Sequence, residues 1–234
     1  MIIQTDYYGS IEYGEDELVT FPEGIFGFPD LKQFLPLCLE EGDSSLLLSQ
    51  STENPQIAFF LINPTALLPN YSPVLQPEEL SFLGVTDSGE LSYYSICIVC
   101  SNYLENTVNL KSPLVINPET RQGLQVILNG TNYGYRHPMS SLLNQDDGKG
   151  ALEHADSETQ KNESILIGDD IRITILECSN GSVRLAVNAP KHLSILREEL
   201  SEAEEANKNA PLADTRSLQS VTAALLPYLH KQTE

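Results

Sequence analysis

Cys97-Ile98-Val99-Cys100 has the spacing of a metal or redox pair. Such a pair works only if both sulfurs reach the same ion or each other. Here it sits inside Leu91–Cys100, an apolar run that reads as a strand. Residues three apart on a strand point to opposite faces, so the two thiols do not converge. No second CxxC and no His pair stands elsewhere to complete a tetrahedral set, and Cys38 and Cys178 read as small buried hydrophobes. His137, in Arg136-His137-Pro138, reads as a satisfied structural histidine at the end of a domain. Gly24-Ile25-Phe26-Gly27 is too short and too apolar to cradle a phosphate. No nucleophile, base and orienting group can be assembled from the other residues. The reading is a non-enzymatic chain with no cofactor and no metal.

The other chemistry on offer is recognition. Arg197 ends a run of apolar alternation, and its planar fork suits base edges and phosphates better than a lysine would. It could equally pair with Glu198 or Glu199. Lys191, six residues earlier, is more simply a solvated charge.

These residues close a segment with a strong pattern, Asn162–Leu200. Ile165/Ile167, Ile171/Ile173/Ile175, Val183/Leu185/Val187 and Leu193/Ile195 alternate with period two, which predicts short antiparallel strands. Gly168-Asp169-Asp170 and Ser179-Asn180-Gly181-Ser182 supply the turns. So few strands cannot bury a good core alone, so the module should dimerise or dock on a neighbour. Behind it, the SEAEEANKN run from Ser201 to Asn209 predicts a short acidic helix that ends before Pro211. A second helix comes next, with Asp214 as a cap and Leu218, Val221, Leu225 and Leu229 at helical spacing; Pro227 should end or kink it. Both helices could pack on the module's own sheet or dock elsewhere.

The first 140 residues read as β-rich. Leu46–Gln50, Gln56–Ile62, Leu91–Cys100, Leu114–Ile116 and Leu124–Leu128 are the predicted strands, punctuated by Asn63-Pro64, Asp87-Ser88-Gly89 and Asn117-Pro118. Pro77–Leu83 is a helical turn or two, with Pro near its first position. Many strands and few helical periods predict a barrel or curled sandwich. Leu142–Lys161 is polar and reads as a linker. No apolar run is long enough to span a bilayer and no signal-like start is present, so a cytoplasmic protein is expected.

The formal charge is −20. Residues 1–150 hold 5 Lys+Arg against 19 Asp+Glu, and residues 151–234 hold 8 against 14. Acidity keeps a chain soluble, but it also repels phosphates, whose neutralisation dominates nucleic-acid affinity.

Two resemblances sit on these residues. ESILIGDDIRITIL (Glu163–Leu176) and VRLAVNAPKHLSILREEL (Val183–Leu200) resemble the CsrA (RsmA) family of small dimeric RNA-binding regulators. That likeness implies binding to GGA-containing loops in messenger leaders and repression of translation. It implies an RNA pocket made of Ala189, Pro190, Lys191, Ile195 and Arg197. FPEGIFGFPDLKQF (Phe21–Phe34), AFFLINP (Ala58–Pro64), KSPLVINPETRQGLQVIL (Lys111–Leu128) and YRHPM (Tyr135–Met139) resemble the flagellar assembly factor FliW family. That likeness implies binding of flagellin and antagonism of CsrA, whose helical extension contacts FliW. Phe26 departs from the family's usual Pro, while Gly24 and Gly27 keep the turn. The CsrA-like first strand also departs: its register falls on Ala155–Gln160, where the RNA-side Leu is Ser157 and the Arg is Thr159.

The expected architecture is therefore mainly β. A FliW-like β-barrel domain (1–140) precedes a linker (141–161) and a small CsrA-like antiparallel module with C-terminal helices (162–234). The expected function is a flagellar assembly factor fused to a translational regulator. Its expected partners are flagellin, an mRNA leader bound weakly or not at all, a CsrA-like module in cis or in another chain, and a possible second copy; no membrane is expected. The competing reading is a flagellin-binding assembly chaperone whose degenerate appendage no longer binds RNA.

Overall fold

The alternating runs become short antiparallel strands in a computed structural model of the chain, which describes residues 1–40, 43–100, 102, 105–140, 164–167, 171–179, 182–190, 195, 197–212 and 215–229. In chain order they are β1 (Ile2–Thr5), β2 (Gly9–Glu12), β3 (Val19–Thr20), β4 (Gln33–Glu40), β5 (Asp43–Ser51), β6 (Ala58–Ile62), β7 (Ser92–Ile98), β8 (Thr107–Val108), β9 (Leu114–Ile116), β10 (Gly123–Gln125), β11 (His137–Pro138), β12 (Ser164–Ile167), β13 (Ile171–Ser179) and β14 (Ser182–Asn188). The helices are α1 (Pro77–Leu83), α2 (Glu198–Lys208) and α3 (Thr215–Leu229). The chain divides into two compact units, one made of Met1–Asp146 with Glu199–Glu234, the other of Asp147–Glu198. The expected linker, the residues Ala155–Gln160, Lys191 and most of the fourth module strand lie outside the described residues.

In the first unit β1 and β2 form a hairpin, and the main sheet runs β10-β9-β7-β6-β5-β4-β3, with β8 joining β7 to β11. The sheet curls but does not close as the expected barrel. Among the described residues its two ends are joined by one parallel bridge, Thr20 to Gln122, where the Thr20 N–H donates to Arg121 C=O at 2.9 Å. β3 and β10 are too short to carry a ladder across that seam. β6 is apolar at every position and is covered on both faces. Ala58, Phe60 and Ile62 enter one core with Leu46, Leu48, Cys97 and Val108. Phe59 and Leu61 enter another with Phe21, Phe34, Ile96 and Leu114.

α1 has the bounds expected from its Pro start. The Glu79 carboxylate accepts from Gln76 N–H (2.7 Å), and Gly84 ends the helix at φ +74°. β4 was hidden in the sequence by Pro36. The structure accommodates it because β3 pairs only with Gln33 and Phe34, leaving the rest of that edge without a ladder partner to miss the lost N–H. The same open edge exposes Cys38, which is not the buried hydrophobe expected. α3 runs two residues past Pro227. A proline in the last turn forfeits one backbone bond without a following turn to disrupt.

In the second unit β12, β13 and β14 form a three-stranded antiparallel sheet. Ile173 pairs with Val187 and Ile175 with Leu185, so these apolar side chains share one face, in the register the alternation requires.

Candidate protein-docking site

The glycines of the Phe21–Leu31 loop set the site's floor. Gly24 (φ +75°) and Gly27 (φ +83°) occupy the left-handed region, which folds Ile25 into the core and turns Phe26 outward with both its backbone groups available. Phe26 N–H donates to Gln125 Oε1 (2.9 Å), and Gln125 Nε2 donates to Ser112 C=O (3.1 Å). Gln125 thus holds the loop against β10.

α2 lies on this floor. Its inner face is Ala203, Ala206 and Asn207, all buried, continued by Ala210. Small side chains at that spacing let a backbone approach closely. A Cβ on Gly27 would stand 3.0 Å from Glu204 C=O. Asn207 is fully buried, and its Nδ2 donates both to Phe26 C=O (2.9 Å) and to Gln125 Oε1 (2.8 Å). Among the described residues its Oδ1 meets no hydrogen-bond partner. At the other end of the helix Tyr135 Oη donates to Glu199 C=O (2.9 Å). Burial, then the neighbouring Glu202 and Glu199 carboxylates, push that phenol up to about 12, so it stays a donor. Arg136 reaches Glu205 at 3.5 Å, an exposed pair of small worth.

After α2 the chain becomes a strand fragment. Pro211 bridges to Phe59, Leu212 N–H donates to Ala58 C=O (3.0 Å), and Tyr7 Oη donates to Leu212 C=O (2.8 Å). β7 pairs only with Phe60–Ile62, so this end of β6 is open to augmentation. α3 then sets Leu218, Val221 and Leu225 into the main core of the first unit.

His137 shapes the turn that carries Tyr135 and Arg136. Its Nε2 accepts from Gly134 N–H at 2.7 Å, and burial lowers its pKa, so the neutral ring is favoured. Cys97 is fully buried, with its thiol pushed well up by burial, while Cys100 Sγ faces Glu105 C=O at 3.8 Å.

The expected RNA-pocket residues are placed less fully. Ala189 and Pro190 come after β14 and are half-buried, while Ile195 and Arg197 are exposed. Among the described residues the ion pairs are Arg136–Glu205 and Lys208–Glu204, so the pairing of Arg197 with Glu198 or Glu199 is not among them. Sequence reading did not single out Asn207, Gln125, Tyr135 or Tyr7. An asparagine inside an acidic helix, on the same face as spaced alanines, was the available signal.

Comparison with known proteins places both halves. The FliW protein family model matches residues 2–139, and the CsrA global regulator protein family model matches residues 159–206. The flagellar assembly factor FliW of Caldanaerobacter subterraneus subsp. tengcongensis is 37% identical over 155 residues, which cover 66% of this chain and 100% of the relative. That of Geobacillus kaustophilus is 39% identical over 137 residues, covering 58% of this chain and 94% of the relative. A crystal structure of the flagellar assembly factor FliW matches with a TM-score of 0.55 at 37% identity, over 59% of this chain and 96% of that one.

Proposed function

Because the chain belongs to the FliW family of flagellar assembly factors and carries a CsrA-family module behind that domain, we propose that it is a self-docked switch between flagellin and messenger RNA. In this reading residues 1–140 bind flagellin, residues 141–161 link the halves, and residues 162–234 are the regulator, whose helical extension is lent to the first domain. The observation that carries it is the Asn207 contact with Phe26 and Gln125. It ties the regulator's extension to the FliW domain through a buried polar junction, where FliW-type antagonism requires a contact. Flagellin occupying the first domain would compete with the extension and change the regulator's binding to RNA.

The regulator acts as a pair in this reading. Val183, Leu185 and Val187 stand on the module's apolar face at 56%, 52% and 39% exposure. A three-stranded sheet with such a face calls for a second copy. No helix among the described residues is long and apolar enough to cross a membrane, and both expected partners are met in the cytoplasm.

The runner-up is a flagellin-binding assembly chaperone with an RNA-silent appendage. The −20 charge and the acidic residues in the first-strand register favour it. Titrating the full chain with a GGA-loop hairpin at two salt concentrations, with and without the host's flagellin, separates the two. Binding that changes with flagellin supports the switch. Retention of flagellin with no RNA binding under any condition supports the chaperone.

A further inference from the structure

The loop between Leu128 and Gly134 carries an Asn-Gly pair that the docking junction does not use. Both ends of the loop are tied to one residue. Leu128 N–H donates to Lys111 C=O (2.9 Å), and Lys111 N–H donates to Gly134 C=O (3.1 Å). Near its far end Tyr133 packs on Tyr71, with 4.8 Å between ring centroids. Asn129 and Gly130, in the excursion between these anchors, are both exposed. Gly130 is left-handed at φ +68°, and a Cβ there would meet nothing within 4 Å. Its N–H meets no hydrogen-bond partner among the described residues. The turn is held instead by a long side-chain contact, Thr131 Oγ1 to Leu128 C=O at 3.3 Å.

These are the conditions under which a side-chain amide is lost. Attack by the Gly130 nitrogen on Asn129 Cγ closes a five-membered ring. A side chain on the following residue would hinder that approach, and glycine has none. The structure assigns Asn129 as a site of spontaneous deamidation, with water as the other reactant. The Gly130 nitrogen gives up its proton and bonds to Asn129 Cγ, the Cγ–Nδ2 bond breaks, and ammonia leaves. Water then opens the cyclic imide at either carbonyl. One opening leaves an aspartate, and the other leaves an isoaspartate whose backbone runs through Cβ and Cγ. Nothing is oxidised or reduced.

Other asparagines of the first unit are guarded. Asn54, Asn63 and Asn117 precede prolines, which have no N–H to attack with. Asn106 and Asn109 are buried. Asn207 is buried and is followed by Lys208 within α2, whose N–H belongs to the helix ladder. Asn132 is exposed, but the residue after it is Tyr133, packed on Tyr71. Loss of the amide at Asn207 would break the docking junction. At Asn129 it adds a carboxylate and leaves the anchors at Lys111 and Tyr133 in place, so the modified chain stays folded.

The test ages the full chain in neutral buffer, digests it with trypsin and follows the fragment 122–136 by mass spectrometry. That fragment holds both Asn129 and Asn132, so one is the control for the other. Conversion of amide to acid is expected at Asn129, about tenfold or more ahead of Asn132, and faster as pH rises and the Gly130 nitrogen ionises. An isoaspartyl methyltransferase should label this fragment from the aged wild type. It should not label the same fragment from Asn129→Gln, whose longer side chain must close a six-membered ring. The chain aged in urea gives the rate without the fold. A folded rate within about tenfold of it supports the assignment. If the folded chain converts more slowly than that or keeps its Asn129 amide, or if Asn132 converts first, the assignment is overturned.

Discussion

Asn207 Nδ2 stands 2.8 Å from Gln125 Oε1, in a junction where both side chains are buried. The same oxygen accepts from Phe26 N–H, so one glutamine holds both the loop and the helix. The junction is also polar on both sides, which makes it specific: a helix with an apolar residue at this position would leave Phe26 C=O unpaired.

Asn207→Ala therefore removes two hydrogen bonds and strands a partly buried carbonyl, at a cost of about 1–3 kcal/mol. Hydrogen exchange across 198–212 should accelerate, while β9 and β7 stay protected. A double-mutant cycle with Gln125→Ala should show strong coupling. Additive effects would mean that the amide pair contributes nothing of its own.

Gly27 and Gly84 form an internal control. Both have positive φ, but a Cβ at Gly84 would meet nothing within 4 Å, whereas at Gly27 it would meet Glu204 C=O at 3.0 Å and Lys208 at 3.1 Å. Gly84→Ala should cost only the left-handed strain, about 1–2 kcal/mol. Gly27→Ala should cost more and should loosen α2, read as faster exchange at 199–208. Equal losses in urea melts would remove the steric role of Gly27.

His137 gives the fold a pH dependence. Its folded pKa lies below the ordinary value of 6.5 because of burial, so the unfolded chain takes up its proton first. Stability from this group is complete above that ordinary value and is lost as pH falls from it toward the folded pKa. Protonation also removes the acceptor for Gly134 N–H, in the turn that presents Tyr135 to Glu199. Urea midpoints at pH 5.5 and 7.5 should differ less in His137→Gln than in the wild type. An unchanged difference would assign the acid sensitivity to other groups.

How far the sequence disclosed this arrangement depended on whether the cause was local. α1 was legible because Pro77 opens it and Gly84 closes it. β6 was legible from its unbroken apolar run. β4 was not singled out, and it holds Pro36 where β3 no longer pairs with its edge. The docking junction was the least legible part. Asn207 finds its partners 82 and 181 residues away, and no periodicity encodes such a pairing. The alanines at 203, 206 and 210 show that something approaches closely, but they do not identify it.

The regulator's affinity for RNA gives the last prediction. Arg197 is exposed, and Ile195 beside it is 56% exposed, so this end of the module is open to a ligand. The register where the family places its other arginine holds Thr159, among Asp156, Ser157 and Glu158. Loss of one bidentate contact costs about 1–3 kcal/mol, and a paired module loses it twice. The chain's −20 charge subtracts further. Salt then acts in both directions: it weakens phosphate contacts and screens the acidic repulsion, so the salt slope should be shallow. A GGA hairpin should bind weakly, Arg197→Ala should abolish the residual binding, and Ser157→Leu with Thr159→Arg should restore affinity. Nanomolar binding by the unaltered chain in physiological salt would show that another segment supplies the missing strand, and would return the acidic register to a neutral role.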